Sequence, residues 1–343
     1  MGSPETIATE ADLEENLSRP TPELVTFMRE LEGDIVFLGV GGKMGPTMAR
    51  MALRADEEAG AKRRIIGVSR FGSGDQRSRL EGLGIETLAC DLLDEAAAEK
   101  LPPAPNVIYM PAMKFGSTGN ESLTWAMNAW LPSVACRVYR ESRIVAFSTG
   151  NVYGLTSIDR PSKEPDAPAP VGEYAMSCLG RERMFEHFSA TLNIPVVIVR
   201  LNYATELRYG VLADIAQKVW RGEPVDIGMG FLNCIWQADA NASILRMLSQ
   251  TTSPPAVLNI TGEEVLSIRN LAEAFGKRMG KSCEFRGSEP DSALLSDSSR
   301  AHELFGKPST SLDQMLDWIA DWVMADGASL GKPTHFESRD GKF

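Results

Sequence analysis

Gly39, Gly42 and Gly45 stand at the spacing G-x-x-G-x-x-G within Gly39-Val40-Gly41-Gly42-Lys43-Met44-Gly45-Pro46. Residues of this type at this spacing suit a cradle for a diphosphate. A tight turn needs glycine where φ is positive. Backbone must also come close to the phosphates, which a Cβ would prevent. The N–H groups and positive dipole end of a following helix then favour the anion. Pro46 fits a first helical turn, where its missing N–H is not required. The apolar run Ile35-Val36-Phe37-Leu38 leads straight into the glycines, and a helical stretch follows to about Gly60. This strand–turn–helix setting points to a dinucleotide.

Two further positions bear on which dinucleotide. The second apolar run ends at Val68-Ser69-Arg70. A carboxylate there would accept from a ribose 2′-hydroxyl, whereas Arg70 offers a guanidinium to a 2′-phosphate. The expectation is NAD(P), with NADP slightly favoured. Asp91 follows Thr87-Leu88-Ala89-Cys90, where it either meets an adenine amino group or caps the next helix.

The elements that must position these residues follow from the recurrence of short apolar runs. After the first come Ile65-Ile66-Gly67-Val68, Asn106 to Met110, Arg143 to Phe147 and Pro195 to Val199. Strands apolar on both faces belong to parallel sheets. Helical stretches alternate with them: Pro46 to Ala59, Asp94 to Lys100, Ser122 to Arg140 and Tyr174 to Leu192. The expected fold class is α/β, a doubly wound parallel sheet with right-handed crossovers. Residues 1–32 read as an acidic N-terminal extension with one helix starting at Pro22. Residues 33–202 read as the nucleotide-binding domain, and 203–335 as a smaller substrate lobe. Part of that lobe, about 232–262, is expected to return to the main domain.

With these motifs in place, the sequence resembles the extended short-chain dehydrogenase/reductase family of the NAD-dependent epimerase/dehydratase type, over roughly residues 33–325. The likeness rests on the glycine turn, the pair Asp91-Leu92, Phe147-Ser148-Thr149-Gly150-Asn151-Val152-Tyr153-Gly154, Tyr174 at a helix start, and Arg200-Leu201-Asn202. It implies a Rossmann-like sheet, NAD(P), a small C-terminal substrate lobe and a homodimer. It also implies that Thr149 hydrogen-bonds a substrate oxygen and that Tyr174 moves the proton. Lys43, Met44, Pro111 and Asn202 join the glycines, Ser69, Arg70, Asp91 and Leu92 as expected coenzyme contacts. Lys114, Asn151 and Trp236 are the candidate substrate contacts, although a buried core tryptophan is the commoner fate of such a residue.

The chain departs from the family at two points. A phenol titrates near pH 10, so it works at neutral pH only beside a cation. The family supplies a Lys four residues on, and here that place holds Cys178. Another cation could substitute, Arg181 or Lys114, each of which reads more readily as an ordinary surface charge. Otherwise the proton relay is weaker, or the chain binds a dinucleotide without turnover. The second departure is the stretch Phe231 to Asp239, which lacks the Arg that nucleotide-sugar members set against a diphosphate. Two readings follow. One is an NAD(P)-dependent oxidoreductase or epimerase/dehydratase-like enzyme acting on a hydroxyl or carbonyl carbon of a polar substrate such as a sugar. The other is a non-catalytic NAD(P)-binding or sensing protein.

Composition narrows the classes further. The 343 residues are 43% hydrophobic and 24% charged, enough for a large core, and the net charge of −11 disfavours nucleic acid. No apolar run is long enough for a membrane helix. Met1-Gly2 with Thr6 fits an acylation pattern too short to carry weight. The five cysteines lie far apart in sequence, without the spacing of a metal site or disulfide framework. Three histidines leave little material for a metal site. The expected setting is cytoplasmic, with a small-molecule substrate.

Overall fold

The apolar runs become the strands of one sheet in which every pairing is parallel. A computed structural model describes residues 6–72, 74–114, 116 and 118–341. Met1 and Gly2, on which the acylation pattern depends, lie outside the described residues. The strands are β1 (Ile35–Leu38), β2 (Ile65–Ser69), β3 (Glu86–Ala89), β4 (Asn106–Tyr109), β5 (Arg143–Thr149), β6 (Val196–Leu201) and β7 (Ala256–Ile260). Their order across the sheet is β7-β6-β5-β4-β1-β2-β3. The order reverses between β1 and β4, which pair in register from Ile35 with Asn106 to Leu38 with Tyr109. Crevices that bind ligands form beyond the strand ends at such a reversal.

The helices are α1 (Glu10–Leu17), α2 (Pro22–Glu30), α3 (Gly45–Ala59), α4 (Gln76–Gly82), α5 (Glu95–Ala98), α6 (Glu121–Trp125), α7 (Leu131–Val138), α8 (Gly172–Leu192), α9 (Val211–Arg221), α10 (Gln237–Arg246), α11 (Ile268–Met279), α12 (Ser299–Phe305) and α13 (Leu312–Met324). A π-helical turn, Ala126–Trp130, joins α6 to α7. One apolar cluster packs α2, α3 and α10 on one sheet face, and another packs α7 and α8 on the opposite face. Both faces of β1 and β4 are thereby fully buried. Full burial of each Val, Ile or Phe side chain stabilises by about 1.5–3 kcal/mol before entropy is counted. A third cluster joins α9, α11 and α13 beside the sheet.

The N-terminal stretch holds two helices rather than the single one expected. Thr9 and Asp12 cap α1 reciprocally, and Leu13 and Leu17 enter the third cluster. Glu15 on α1 meets Arg54 of α3 at 2.8 Å. The signal, Thr9-x-x-Asp12 before Leu13, is visible in the sequence but short. At the other end, residues 325–341 fold back onto the lobe. Thr334 donates to Asp214 of α9 through both backbone N–H and hydroxyl, and Phe336 is buried.

Candidate active site

A cleft of about 370 Å³ opens beyond the ends of β1, β4, β5 and β6. The glycine turn forms its floor, and each glycine has a separate reason. Gly39 has φ +79°, and a Cβ there would meet the Pro111 backbone nitrogen at 2.9 Å. Gly45 presses on the Val40 carbonyl so closely that a Cβ would collide with it. Gly42 alone faces open space, its nearest neighbour for a Cβ being the Gly39 carbonyl oxygen at 3.5 Å. The residue before α3, Met44, makes no side-chain cap bond, so no capping side chain takes the first-turn N–H groups. A glycine facing the cleft above an uncapped helix start fits the diphosphate of a dinucleotide.

Lys43 projects from the turn over the Tyr209 ring. Burial, then the charge of Lys114, pushes its ammonium down to about 6. Lys114 lies across the cleft, 5.9 Å from the Tyr174 ring centroid, and burial pushes it down to about 8. The strand ends place Thr149 at the close of β5 and Asn202 just after β6, both on the cleft wall. Asn202 donates to Asn233 at 2.8 Å, which fixes its amide.

Tyr174 sits in the first turn of α8 and reaches the cleft, although it is only 7% exposed. Burial drives its phenol well above the ordinary value. Cys178 adds to that rise, while Arg181 and a hydrogen bond from Thr149 oppose it. At neutral pH Tyr174 is therefore a phenol and can give a proton. Cys178 is fully buried one turn on, behind Tyr174 rather than on the cleft wall, and burial raises its thiol. A thiol so placed is no nucleophile.

The structure brings Gly39, Gly42, Lys43, Met44, Lys114, Thr149, Asn151, Tyr174 and Asn202 to one cleft. Gly45, Pro111 and Cys178 stand behind its wall, and Ser69, Arg70, Asp91, Leu92 and Trp236 fall elsewhere. Ser69 lies at the end of β2, its hydroxyl near Gly41, and Arg70 is exposed beyond it. Asp91 is exposed, and its carboxylate accepts the Leu93 N–H at 3.1 Å, a local turn; Asp94 caps α5 instead. Leu92 packs into the apolar cluster beside α7. Trp236 is a correction. It is 1% exposed, tilted against Trp318, with its indole bonded to Asn16, so it does not reach the substrate cleft. An indole with both an apolar shell and a hydrogen-bond partner has no reason to leave the core.

Arg181 is also corrected: it is 2% exposed and lines the cleft instead of standing on the surface. Arg208 is paired with Glu206 and Glu14. Sequence reasoning missed Gln237, Tyr209, Lys332 and Thr334, all on the cleft wall. The last two come from the tail, whose return no local pattern announces.

A family model described as the NAD dependent epimerase/dehydratase family matches residues 35–210, just over half of the chain. The chain belongs to that family. Among solved structures, it resembles the UDP-glucose 4-epimerase of Thermus thermophilus in complex with NAD, at 18% identity and a TM-score of 0.69, covering 84% of this chain and 98% of that one. It also resembles the Thermotoga maritima UDP-glucose 4-epimerase with UDP-glucose, at 19% identity and TM-score 0.70, with 85% and 99% covered. A third is the dTDP-glucose 4,6-dehydratase of Streptomyces venezuelae with NAD bound, at 16% identity and TM-score 0.70, with 85% and 97% covered. Curated proteins compared with the chain gave no match. Among the described residues no helix is long and apolar enough to cross a membrane, and no cluster of ligating side chains could hold a metal.

Proposed function

We propose that this chain is an NAD(P)-dependent enzyme of the epimerase/dehydratase type, acting on a hydroxyl or carbonyl carbon of a polar, sugar-like small molecule. The observation that carries the reading is one cleft holding both the glycine turn and the Thr149–Tyr174 pair. The turn and the start of α3 hold the diphosphate. Nicotinamide, when bound, supplies a hydride acceptor or donor at its C4. Thr149 orients the substrate oxygen, and Tyr174 exchanges the proton with that oxygen. Lys114 and Asn151 sit at the substrate end. Arg70, exposed past β2, favours NADP over NAD. The UDP-glucose complex of the Thermotoga maritima relative supports the substrate class.

Self-association as a homodimer draws support from Leu123, Trp130 and Met176, large apolar side chains exposed near α6 and α8. A cytoplasmic setting agrees with five unpaired cysteines. A non-catalytic coenzyme-binding role is the second reading, favoured by the buried thiol of Cys178 where the family has an ammonium.

The test is Tyr174→Phe, assayed against a panel of hydroxyl and carbonyl compounds that includes nucleotide sugars. Turnover falls about 100-fold or more, while NAD(P) affinity by calorimetry changes less than about twofold. Unchanged turnover overturns the role of Tyr174. Coenzyme binding without turnover on any compound in the wild type establishes the second reading.

A further inference from the structure

Arg181 is a buried cation that, among the described residues, makes no ion pair with a carboxylate. Its Nη1 donates to the Phe147 carbonyl at 3.0 Å, its Nη2 to Asn128 Oδ1 at 2.7 Å, and its Nε to the Asn128 carbonyl at 3.4 Å. All three acceptors are neutral. Glu182, the next residue, is committed to Arg200, with Nη2 to Oε2 at 2.7 Å and Nε to Oε1 at 3.0 Å. A charge removed from water and hydrogen-bonded only to neutral carbonyls is costly, and sites of this kind gather where a counter-charge is used.

The acids facing Arg181 are Cys178, Tyr109 and Tyr174, each neutral until it loses a proton, and Glu182, whose two carboxylate oxygens are taken by Arg200. Tyr109 and Cys178 are fully buried in the core, and Tyr174 alone lines the cleft together with Arg181. The groups facing the phenol are Cys178 and Arg181 from its own helix, Thr149 from β5 and Lys114 from the loop after β4. Arg181 is the one permanently charged group among them.

The π-helical turn explains how the guanidinium is held. Its wider winding carries Asn128 into the interior, where the residue is fully buried. The Asn128 amide accepts from the Met113 N–H at 2.9 Å and donates to the Met113 carbonyl at 3.0 Å and to Ser177 Oγ at 2.9 Å. With these bonds made, Oδ1 can only point at Arg181.

We propose that Arg181 is the counter-charge for the Tyr174 phenolate during proton transfer, with Asn128 as its positioning residue. The proposal rests on the reading that Tyr174 moves a proton. The phenol O–H breaks, the proton passes to the substrate oxygen, and the negative charge left on the phenolate faces the guanidinium. No electron leaves the protein in this step.

The test replaces Tyr174 with 3,5-difluorotyrosine, a more acidic phenol, and follows its ionisation by fluorine NMR in the coenzyme-free full-length protein. Arg181→Gln raises the midpoint by about one pH unit or more. Arg181→Lys keeps it within about half a unit, because the charge stays. Asn128→Asp keeps the guanidinium but sets a carboxylate beside it, and also raises the midpoint. An unchanged midpoint in Arg181→Gln overturns the proposal, and so do equal shifts in the Gln and Lys variants, which would mark a structural role. Should Arg181→Gln fail to fold, Asn128→Asp decides by the same criterion. Because the titration needs neither coenzyme nor turnover, its failure is distinct from failure of the proposed activity.

Discussion

Asn16 accepts a 2.9 Å hydrogen bond from the indole Nε1 of Trp236, a partner 220 residues away. The bond links α1 to the segment entering α10. Gln237, the next residue, lines the cleft and donates to Thr47 in the first turn of α3 at 3.1 Å. The N-terminal helix thus braces the base of the glycine turn from behind.

Removing that acceptor leaves a buried N–H unpaired. Asn16→Ala is expected to lower stability by about 1–3 kcal/mol, read from denaturant midpoints at constant slope. Coenzyme affinity should not change, since neither group touches the cleft. A loss below about 0.5 kcal/mol would mean that the indole finds another acceptor.

The three glycines make different demands, so their alanine variants should separate. At Gly42 an added methyl meets only ordinary contact and points into the cleft. Gly42→Ala should melt like the wild type yet bind NAD(P) about tenfold more weakly or worse. At Gly45 the methyl runs into the Val40 carbonyl, so Gly45→Ala should lower the melting temperature as well. If Gly42→Ala binds coenzyme normally, the diphosphate does not lie over that residue.

Lys43 gives a pH dependence with a definite sign. Burial and neighbouring ammonium groups bring it down to about 6 in the coenzyme-free protein, so above that pH it is neutral. An adjacent diphosphate favours the ammonium and raises its pKa on binding. Between about pH 6 and the raised value, NAD(P) binding takes up a proton, and affinity falls as pH rises across that span. Calorimetry near pH 7.5 in two buffers of different ionisation heat measures the uptake. We expect it to approach one proton; zero uptake, or uptake unchanged in Lys43→Met, would show that Lys43 stays away from the phosphates.

Much of the sheet was legible because its signal is local. Ile35–Leu38, Asn106–Tyr109 and Val196–Leu201 are buried at nearly every position, and long apolar runs of this kind mark a strand covered on both faces. The helical stretches expected from Pro46 to Ala59 and from Tyr174 to Leu192 form within one or two residues of those limits, as Gly45–Ala59 and Gly172–Leu192. The glycine turn was legible for the same reason, since the positive φ of Gly39 and the approach of Gly45 to Val40 act within seven residues. Less legible were α1, whose short pattern is hydrophobic at few positions, and Arg181, whose neighbours on α8 give no steady apolar stripe. That helix buries Arg181 and Glu182 alongside Tyr174 and Phe185, so polarity did not mark its exposed side.

The sequence by itself determined the parallel sheet, the glycine turn, and the presence of Thr149 and Tyr174 at strand and helix ends. Each depends on backbone conformation or on burial repeated along one segment. Only the tertiary structure decided which cations stand in the cleft. Arg181 is held there by a π-turn in another helix and Lys332 arrives on a returning tail, while Trp236 is held away by Asn16. A charged or aromatic side chain carries the same letters whether its partner comes from across the chain or from water. Its place is set by packing between distant segments, and local spacing holds no record of that.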